Sequence, residues 1–131
     1  MRMRTGLLSV SAIFGLLAAA QAASPFDGTY QPYSSTKLTE TFVSRGGDMG
    51  FCPDRRAGVF TVAEGRARYT TETGRNIEAP VGPNGAFEAR SIEADGTGAL
   101  QVTGTIDGSG TVRARQIGNS CSYDFVWQKQ S

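Results

Sequence analysis

Hydrophobic and polar residues alternate through most of the chain after residue 60. One face of the last segment comprises Cys121, Tyr123, Phe125 and Trp127. The corresponding face of the earlier segments comprises Phe60, Val62, Ala67, Tyr69, Ile77, Ala79, Val81, Phe87, Ala89, Leu100, Val102, Gly104, Ile106, Val112 and Ala114. A period of two is typical of β-strands with one dry face and one wet face. After residue 23, no stretch has the apolar spacing of an amphipathic helix over three turns.

Glycine-containing turn signals separate the alternating segments. They are Glu64-Gly65, Thr73-Gly74, Asn84-Gly85, Asp95-Gly96 and Asp107-Gly108, and their glycines are 9 to 12 residues apart. Such dipeptides supply the positive φ that tight hairpin turns need. Regular turn signals at this spacing indicate an all-β sandwich or barrel.

The first part of the mature chain has a less regular pattern. Residues 26–30 predict the start of a strand, residues 37–43 predict a second strand, and the glycine-rich residues 44–53 predict a long loop. We therefore predict a single all-β domain, residues 24–131, in which about eight antiparallel strands form a meander that closes into a barrel. Closure would place the strand of Tyr30 beside the strand of Trp127.

Residues 1–23 have the features of an export signal. Arg2 and Arg4 precede an apolar run of 15 residues, Gly6–Ala20, and Ala20-Gln21-Ala22 supplies a cleavage pattern. We predict cleavage near Ala22 and a location in the periplasm or outside the cell. Without the two signal arginines, 11 basic residues face 12 acidic residues, a net charge of −1. This balance predicts binding neither to nucleic acid nor, after signal removal, to a membrane.

The two cysteines, Cys52 and Cys121, predict one disulfide within the chain, because an even cysteine count in an exported protein favours pairing. Two free buried thiols and a bond between chains are the alternatives. A metal site is not predicted, because the chain has no histidine to complete one.

Catalytic residues are not apparent in the sequence. The absence of histidine excludes Ser-His-Asp and Cys-His arrangements. A Ser-Lys pair would require Lys37 or Lys129, and the acidic residues of the hairpin region fall at turns or on polar faces. We predict that the protein is not an enzyme and that it has no cofactor.

The remaining candidates are binding residues. Tyr69, Phe87, Tyr123 and Trp127 point inward in the predicted barrel, where they either fill the core or line a ligand cavity. Alternating arginines at 66, 68, 113 and 115 form either an anion-binding face or a solvated face balanced by acidic residues. We expect a binding module whose site lies in the barrel mouth or interior and takes a small apolar ligand. The alternatives are a module that binds an exported protein, such as a protease inhibitor acting through its N-terminal segment and residues 44–52, and a structural envelope protein.

The sequence also resembles a group of short exported proteins of alphaproteobacteria. The resemblance is carried by Phe26-Asp-Gly-Thr-Tyr30, by a cysteine near position 52, by the glycine-turn hairpins and by Cys121-Ser-Tyr-Asp-Phe125. It implies export and a small β-barrel, and it implies no activity. Lipocalins and avidins are similar in architecture only. Bacterial barrel inhibitors of metalloproteases are similar in size, export and a single disulfide, although their cysteines lie much closer together in sequence.

Overall fold

The computed structural model describes residues 24–91 and 98–130. The predicted signal peptide and the Asp95-Gly96 turn signal lie outside these residues. The described chain forms ten strands: β1 (Gly28–Lys37), β2 (Thr41–Val43), β3 (Met49–Phe51), β4 (Phe60–Ala63), β5 (Arg66–Thr70), β6 (Asn76–Pro80), β7 (Ala86–Ser91), β8 (Leu100–Ile106), β9 (Thr111–Gly118) and β10 (Ser122–Lys129). Within these ranges, no helix is long and apolar enough to cross a membrane.

Eight strands form one antiparallel sheet that nearly closes into a barrel, in the order β6-β5-β4-β1-β10-β9-β8-β7. The strands β4 to β6 and β7 to β9 are two local meanders, and β1 and β10 join them. Tyr30 pairs with Lys129 and Pro32 pairs with Trp127. The predicted all-β class, the antiparallel barrel and the neighbouring positions of the Tyr30 and Trp127 strands are therefore confirmed.

The barrel closes along a seam between β6 and β7. These strands end the sheet order, and among the described residues no hydrogen-bonded ladder joins them. The Arg75 guanidinium spans one end of the seam. It donates hydrogen bonds to the carbonyl of Gly98 and to the carbonyl (2.6 Å) and hydroxyl (2.9 Å) of Ser91. A side chain thus supplies hydrogen bonds at a position that a continuous ladder would otherwise occupy.

The dry face predicted from alternation forms the core. Its residues are buried, except for four that are partly exposed, Val81, Leu100, Gly104 and Cys121. The Phe60 ring lies near the centre of the core, with its centroid 4.9 Å from that of Trp127 and 5.4 Å from that of Phe87. Aromatic rings from strands on different sides of the barrel therefore pack against one another across its interior.

The N-terminal part differs from the sequence-based expectation. The predicted strand 37–43 is wrong as a single element, because β1 continues to Lys37 and β2 begins only at Thr41. The predicted loop 44–53 contains β3, which pairs with β2 in a separate two-stranded sheet. The pairing of β1 with β10 shifts between Pro32 and Ser34, and this irregularity interrupts the alternation.

The turn between β4 and β5 depends on the side chain of Asp27. Glu64 and Gly65 both have positive φ, 53° and 76°, as expected for the tight hairpin turns that match strand twist. This conformation is unfavourable for a residue with a side chain such as Glu64. The Asp27 carboxylate accepts hydrogen bonds from the amides of Glu64 (3.1 Å) and Gly65 (3.2 Å) and so stabilises the turn.

Candidate functional site

The β2–β3 hairpin carries an exposed apolar surface. Its register pairs Thr41 with Phe51 and Val43 with Met49, so these four side chains lie on one face. Val43 is 70% exposed, Met49 68% and Phe51 75%. We call Val43, Met49 and Phe51 the apolar hairpin face. The barrel buries nearly all of its apolar residues, so this face is an exception within the same molecule.

The opposite face of the hairpin is closed by one aromatic ring. Phe42 pairs with Gly50, and a Cβ at position 50 would clash with the Cζ of Phe42. Glycine at position 50 therefore leaves room for the Phe42 ring beside β3. The Phe42 ring therefore covers one face of the hairpin. The other face presents three apolar side chains to solvent.

Cys52 anchors the base of the hairpin. Its sulfur is bonded to Cys121 at the start of β10, which confirms the predicted intrachain disulfide. Its amide donates a hydrogen bond to the carbonyl of Glu40 (2.8 Å), and its carbonyl accepts one from the Lys37 ammonium (3.0 Å). The side chain and the backbone of one residue thus connect the hairpin to the barrel.

Lys37 adds charge pairs to this anchor. Its Nζ lies 3.3 Å from the carboxylate of Asp54 and 3.5 Å from that of Glu40. Burial disfavours the charged ammonium, but the two carboxylates outweigh this effect and raise the pKa of Lys37. A charged Lys37 therefore bridges the segments that enter and leave the hairpin.

Two further apolar residues lie on the chain that leads into the hairpin. Tyr33 is at the register shift of β1, and Leu38 follows the end of β1; both are exposed. Among the described residues, the exposed large hydrophobic side chains are Tyr33, Leu38, Val43, Met49, Phe51, Val59 and Ile117. Five of these seven belong to residues 33–51, so exposed apolar surface is concentrated in this region.

The four residues predicted as possible ligand contacts lie in the packed core. The Tyr69 hydroxyl donates a hydrogen bond to the buried amide oxygen of Gln116 (2.8 Å), and burial raises the pKa of Tyr69. The Tyr123 hydroxyl and the Trp127 indole N–H donate to the carbonyls of Pro53 (2.7 Å) and Gly58 (2.8 Å). Phe87 packs against Phe60. That Tyr69, Phe87, Tyr123 and Trp127 line a ligand site stays a prediction.

The carbonyls of Pro53 and Gly58 belong to the connection between β3 and β4. This connection meets β5 and β10 around a cavity of about 30 Å³, which is lined by Arg55, Arg56, Ala57, Tyr69, Thr71, Glu72, Thr73, Gln116 and Phe125. A volume of this size corresponds to about one water molecule. The cavity therefore suits hydration of the Tyr69–Gln116 pair rather than binding of an organic ligand.

Cross-strand ion pairs balance several of the alternating arginines. Glu78 lies 2.8 Å from Arg66 and 3.1 Å from Arg68, and Asp124 lies 2.9 Å from Arg115. These arrangements favour the solvated, charge-balanced interpretation of the arginine face. Within the described residues, no group of three or more Cys, Asp or Glu side chains is placed to hold a metal ion.

Sequence reasoning missed two features of this region. The hairpin was not recognised as a pair of strands, because Gly46-Gly47 and Met49-Gly50-Phe51 show no usable alternation. Gln116 was not recognised as an interior residue, although extending the alternation of Val112 and Ala114 by two positions would have placed it on the dry face.

Comparison with known protein families, curated proteins and solved structures finds no match to this chain. The resemblance to short exported alphaproteobacterial proteins therefore stays a prediction.

Proposed function

We propose that this protein is a non-catalytic binding module of an exported compartment, and that it binds another exported protein through the apolar hairpin face. The observation that carries the proposal is the exposure of Val43, Met49 and Phe51 side by side on a hairpin outside the barrel sheet. Single exposed hydrophobic residues are common on protein surfaces, but a contiguous exposed apolar patch is typical of an interaction site.

The anchoring of the hairpin supports the same function. A two-stranded hairpin is marginally stable by itself in water. Here the Cys52–Cys121 bond and the Lys37 ion pairs fix its base to the barrel. Fixing a binding element in advance lowers the entropy lost on association. The disulfide is also consistent with an oxidising, exported location.

The packing of the interior favours a surface site over an interior one. Phe60 packs against both Trp127 and Phe87 inside the barrel. The hydrogen-bonding groups of the interior tyrosines and of Trp127 have partners within the chain. A small apolar ligand would have to displace these side chains. The absence of histidine and the location of many acidic residues at turns support a non-catalytic role.

Site-specific photo-crosslinking tests the proposal. A benzophenone amino acid replaces Phe51 in one variant and Ile117 in a control variant, because Ile117 is an apolar residue of β9 that is 42% exposed. The variants are produced and irradiated in the organism that makes the protein. We expect a defined crosslinked protein from position 51 only.

The crosslinked protein is then purified and its affinity for the uncrosslinked module is measured. We expect Phe51→Ser and Met49→Ser each to weaken binding at least about tenfold, which corresponds to about 1.4 kcal/mol, and Ile117→Ser to leave it unchanged. Three results would contradict the proposal: binding by Phe51→Ser and Met49→Ser as tight as that of the unsubstituted protein, equal crosslinking from positions 51 and 117, or no crosslink from position 51.

A further inference from the structure

We infer that the partner contributes an extended strand that pairs with the free edge of β3. This inference rests on the proposed function and specifies the partner segment that the hairpin takes. The relevant groups are the backbone N–H and C=O of Met49 and Phe51, together with the side chains of the same two residues. Addition of a strand to an exposed sheet edge is a recurrent mode of peptide recognition.

The register of the hairpin determines where these backbone groups point. In an antiparallel pair, hydrogen-bonded and non-hydrogen-bonded residue pairs alternate. Hydrogen bonds join Ser44 to Asp48 beyond one end of the ladder and Glu40 to Cys52 beyond the other. The Phe42–Gly50 pair is two residues from each, so it is also a hydrogen-bonded pair. The N–H and C=O groups of Met49 and Phe51 consequently point away from β2.

These outward groups have no partner in the described part of the chain, because β3 pairs only with β2 there and no other backbone bond involves Met49 or Phe51. Edge strands are usually protected against pairing by proline, by charged residues or by a covering element. Pro80 and Glu78 lie in the edge strand β6, and Glu88 and Arg90 lie in the edge strand β7. The sequence Met49-Gly50-Phe51 has none of these protecting residues.

The side chains of β3 define the chemistry of the added strand. Met49 and Phe51 lie on the same face, so a strand beside them would place alternate residues next to them. Apolar side chains at two positions, i and i+2, would extend the apolar hairpin face, and an aromatic residue would suit contact with the Met49 sulfur.

Charge distinguishes the two edges of the hairpin. Arg45 follows β2, whereas Asp48 precedes β3, and neither side chain has an ion-pair partner in the described ranges. A strand that adds to β3 passes Asp48, and a strand that adds to β2 passes Arg45. The inferred occupant is therefore an extended peptide with two alternate apolar residues and a basic residue at the end nearest Asp48.

Selection from a displayed library of random 12-residue peptides tests this inference with the oxidised full-length mature protein as bait. We expect enriched peptides to carry apolar residues at i and i+2 and a neighbouring Lys or Arg. The best peptide is then synthesised, and its dissociation constant is measured against three variants. Met49→Pro removes the outward N–H of β3, Met49→Ala removes only the side chain, and Thr41→Pro removes an outward N–H of β2 without changing the apolar hairpin face.

An edge position tolerates proline because its N–H does not take part in the existing ladder. Circular dichroism and retention of the disulfide confirm that each variant is folded. We expect Met49→Pro to weaken peptide binding at least about tenfold more than Met49→Ala, and Thr41→Pro to have less than about a threefold effect.

Several results would overturn the inference. These are equal binding by Met49→Pro and Met49→Ala, loss of binding in Thr41→Pro alone, and no peptide enriched over a Met49→Pro bait. Peptides that lose binding with Phe51→Ser but not with Met49→Pro would leave the proposed function standing and exclude strand addition. The crosslinking experiment reports on the proposed function separately, because it does not depend on the backbone groups of β3.

Discussion

Trp127 combines packing and hydrogen bonding in one residue of the last strand. Its side chain is fully buried against Phe60 and Tyr69, and its indole N–H reaches the carbonyl of Gly58. The alternation of β10 was sufficient to predict burial of this residue. The hydrogen bond to Gly58 could not be predicted, because Gly58 belongs to an irregular connection 69 residues away in sequence.

We expect Trp127→Ala to lower the free energy of unfolding by about 3–5 kcal/mol, because it removes a large buried side chain and leaves a cavity. The melting temperature should fall by more than about 10 °C for a domain of this size. Trp127→Phe retains a ring, so it should lower the free energy of unfolding by less than Trp127→Ala. The remaining loss arises mainly because the Gly58 carbonyl loses its hydrogen-bond donor. Ile117→Ala is the exposed control. Melting curves followed by circular dichroism are the measurement, and a Trp127→Ala curve that overlays the wild-type curve would contradict the burial.

Asp27 makes the stability of the protein depend on acidity. Desolvation raises the pKa of its carboxyl, but hydrogen bonds from the amides of Gly65 and Glu64 outweigh that effect and lower the pKa. The unfolded state therefore takes up the proton more readily than the folded state. The contribution of the ionised Asp27 carboxyl to the free energy of unfolding is fully present above the pKa of the unfolded state, about 3.9. This contribution is lost as the pH falls through the lower pKa of the folded state.

We expect the free energy of unfolding of Asp27→Asn to fall less between pH 6 and pH 2.5 than that of the wild type. Urea unfolding at a series of pH values measures the difference. Asp48→Asn is the control, since the Asp48 side chain accepts no hydrogen bond within the described ranges, and it should follow the wild-type profile. Parallel profiles for Asp27→Asn and wild type would show that the turn does not depend on the charge of Asp27.

At the level of elements, the β2–β3 hairpin could not be predicted from the alternation of apolar and polar residues. The strands β4 to β10 were predictable because each buries one face, and burial imposes alternation on the sequence. The hairpin buries no face against the barrel core, so no alternation is imposed on Met49-Gly50-Phe51. The same lack of burial leaves its apolar side chains exposed, so the feature that supports a binding site is also the one that obscured it in the sequence.

We expect replacement of both Cys52 and Cys121 by alanine to destabilise the protein by about 4 kcal/mol, because the bond closes a loop between residues 69 apart. The amides of Phe42 and Gly50, which pair across the hairpin, should also exchange with solvent much faster. Hydrogen exchange followed by NMR measures both effects. Trp127→Ala is the matched control, because it lowers global stability but keeps the disulfide, and its hairpin amides should retain their slow exchange.

At the scale of the whole molecule, the Arg75 side chain bridges β6 and β7 across a seam where the described residues form no ladder. The turn signals Glu64-Gly65, Thr73-Gly74 and Asp107-Gly108 predicted the β4–β5, β5–β6 and β8–β9 hairpins, but they could not show that Asn84-Gly85 would join two strands between which the described residues form no ladder. Arg75 spans this seam because its fork of donors can reach Ser91 and Gly98 together. A lysine at the same position would offer a single ammonium and could not reproduce this geometry.

We expect Arg75→Ala and Arg75→Lys to lower the free energy of unfolding by about 1–3 kcal/mol, because alanine leaves the carbonyls of Ser91 and Gly98 without a charged donor and a lysine ammonium cannot reproduce the forked geometry of the guanidinium. The amides of β6 and β7 should exchange faster than those of β9 and β10. Arg66→Ala is the control, because it breaks an exposed ion pair with Glu78, and such pairs contribute about 1 kcal/mol or less. Urea unfolding and hydrogen exchange test the prediction, and equal losses in the Arg66 and Arg75 variants would argue against a closing role for Arg75.

The central position of β1 and β10 also determines when the native structure can form. Tyr30 pairs with Lys129, a separation of 99 residues, whereas the strands on either side of this pair join neighbours along the chain. The two local meanders can therefore form early, but their union requires a contact that spans nearly the whole domain. Because this contact closes a long loop, its entropic cost is large. We therefore expect slow folding, in the millisecond-to-second range typical of β-barrels. A nascent chain that lacks β10 has both meanders but lacks the strand that lies between β1 and β9, so the eight-stranded sheet can form only after β10 has been synthesised.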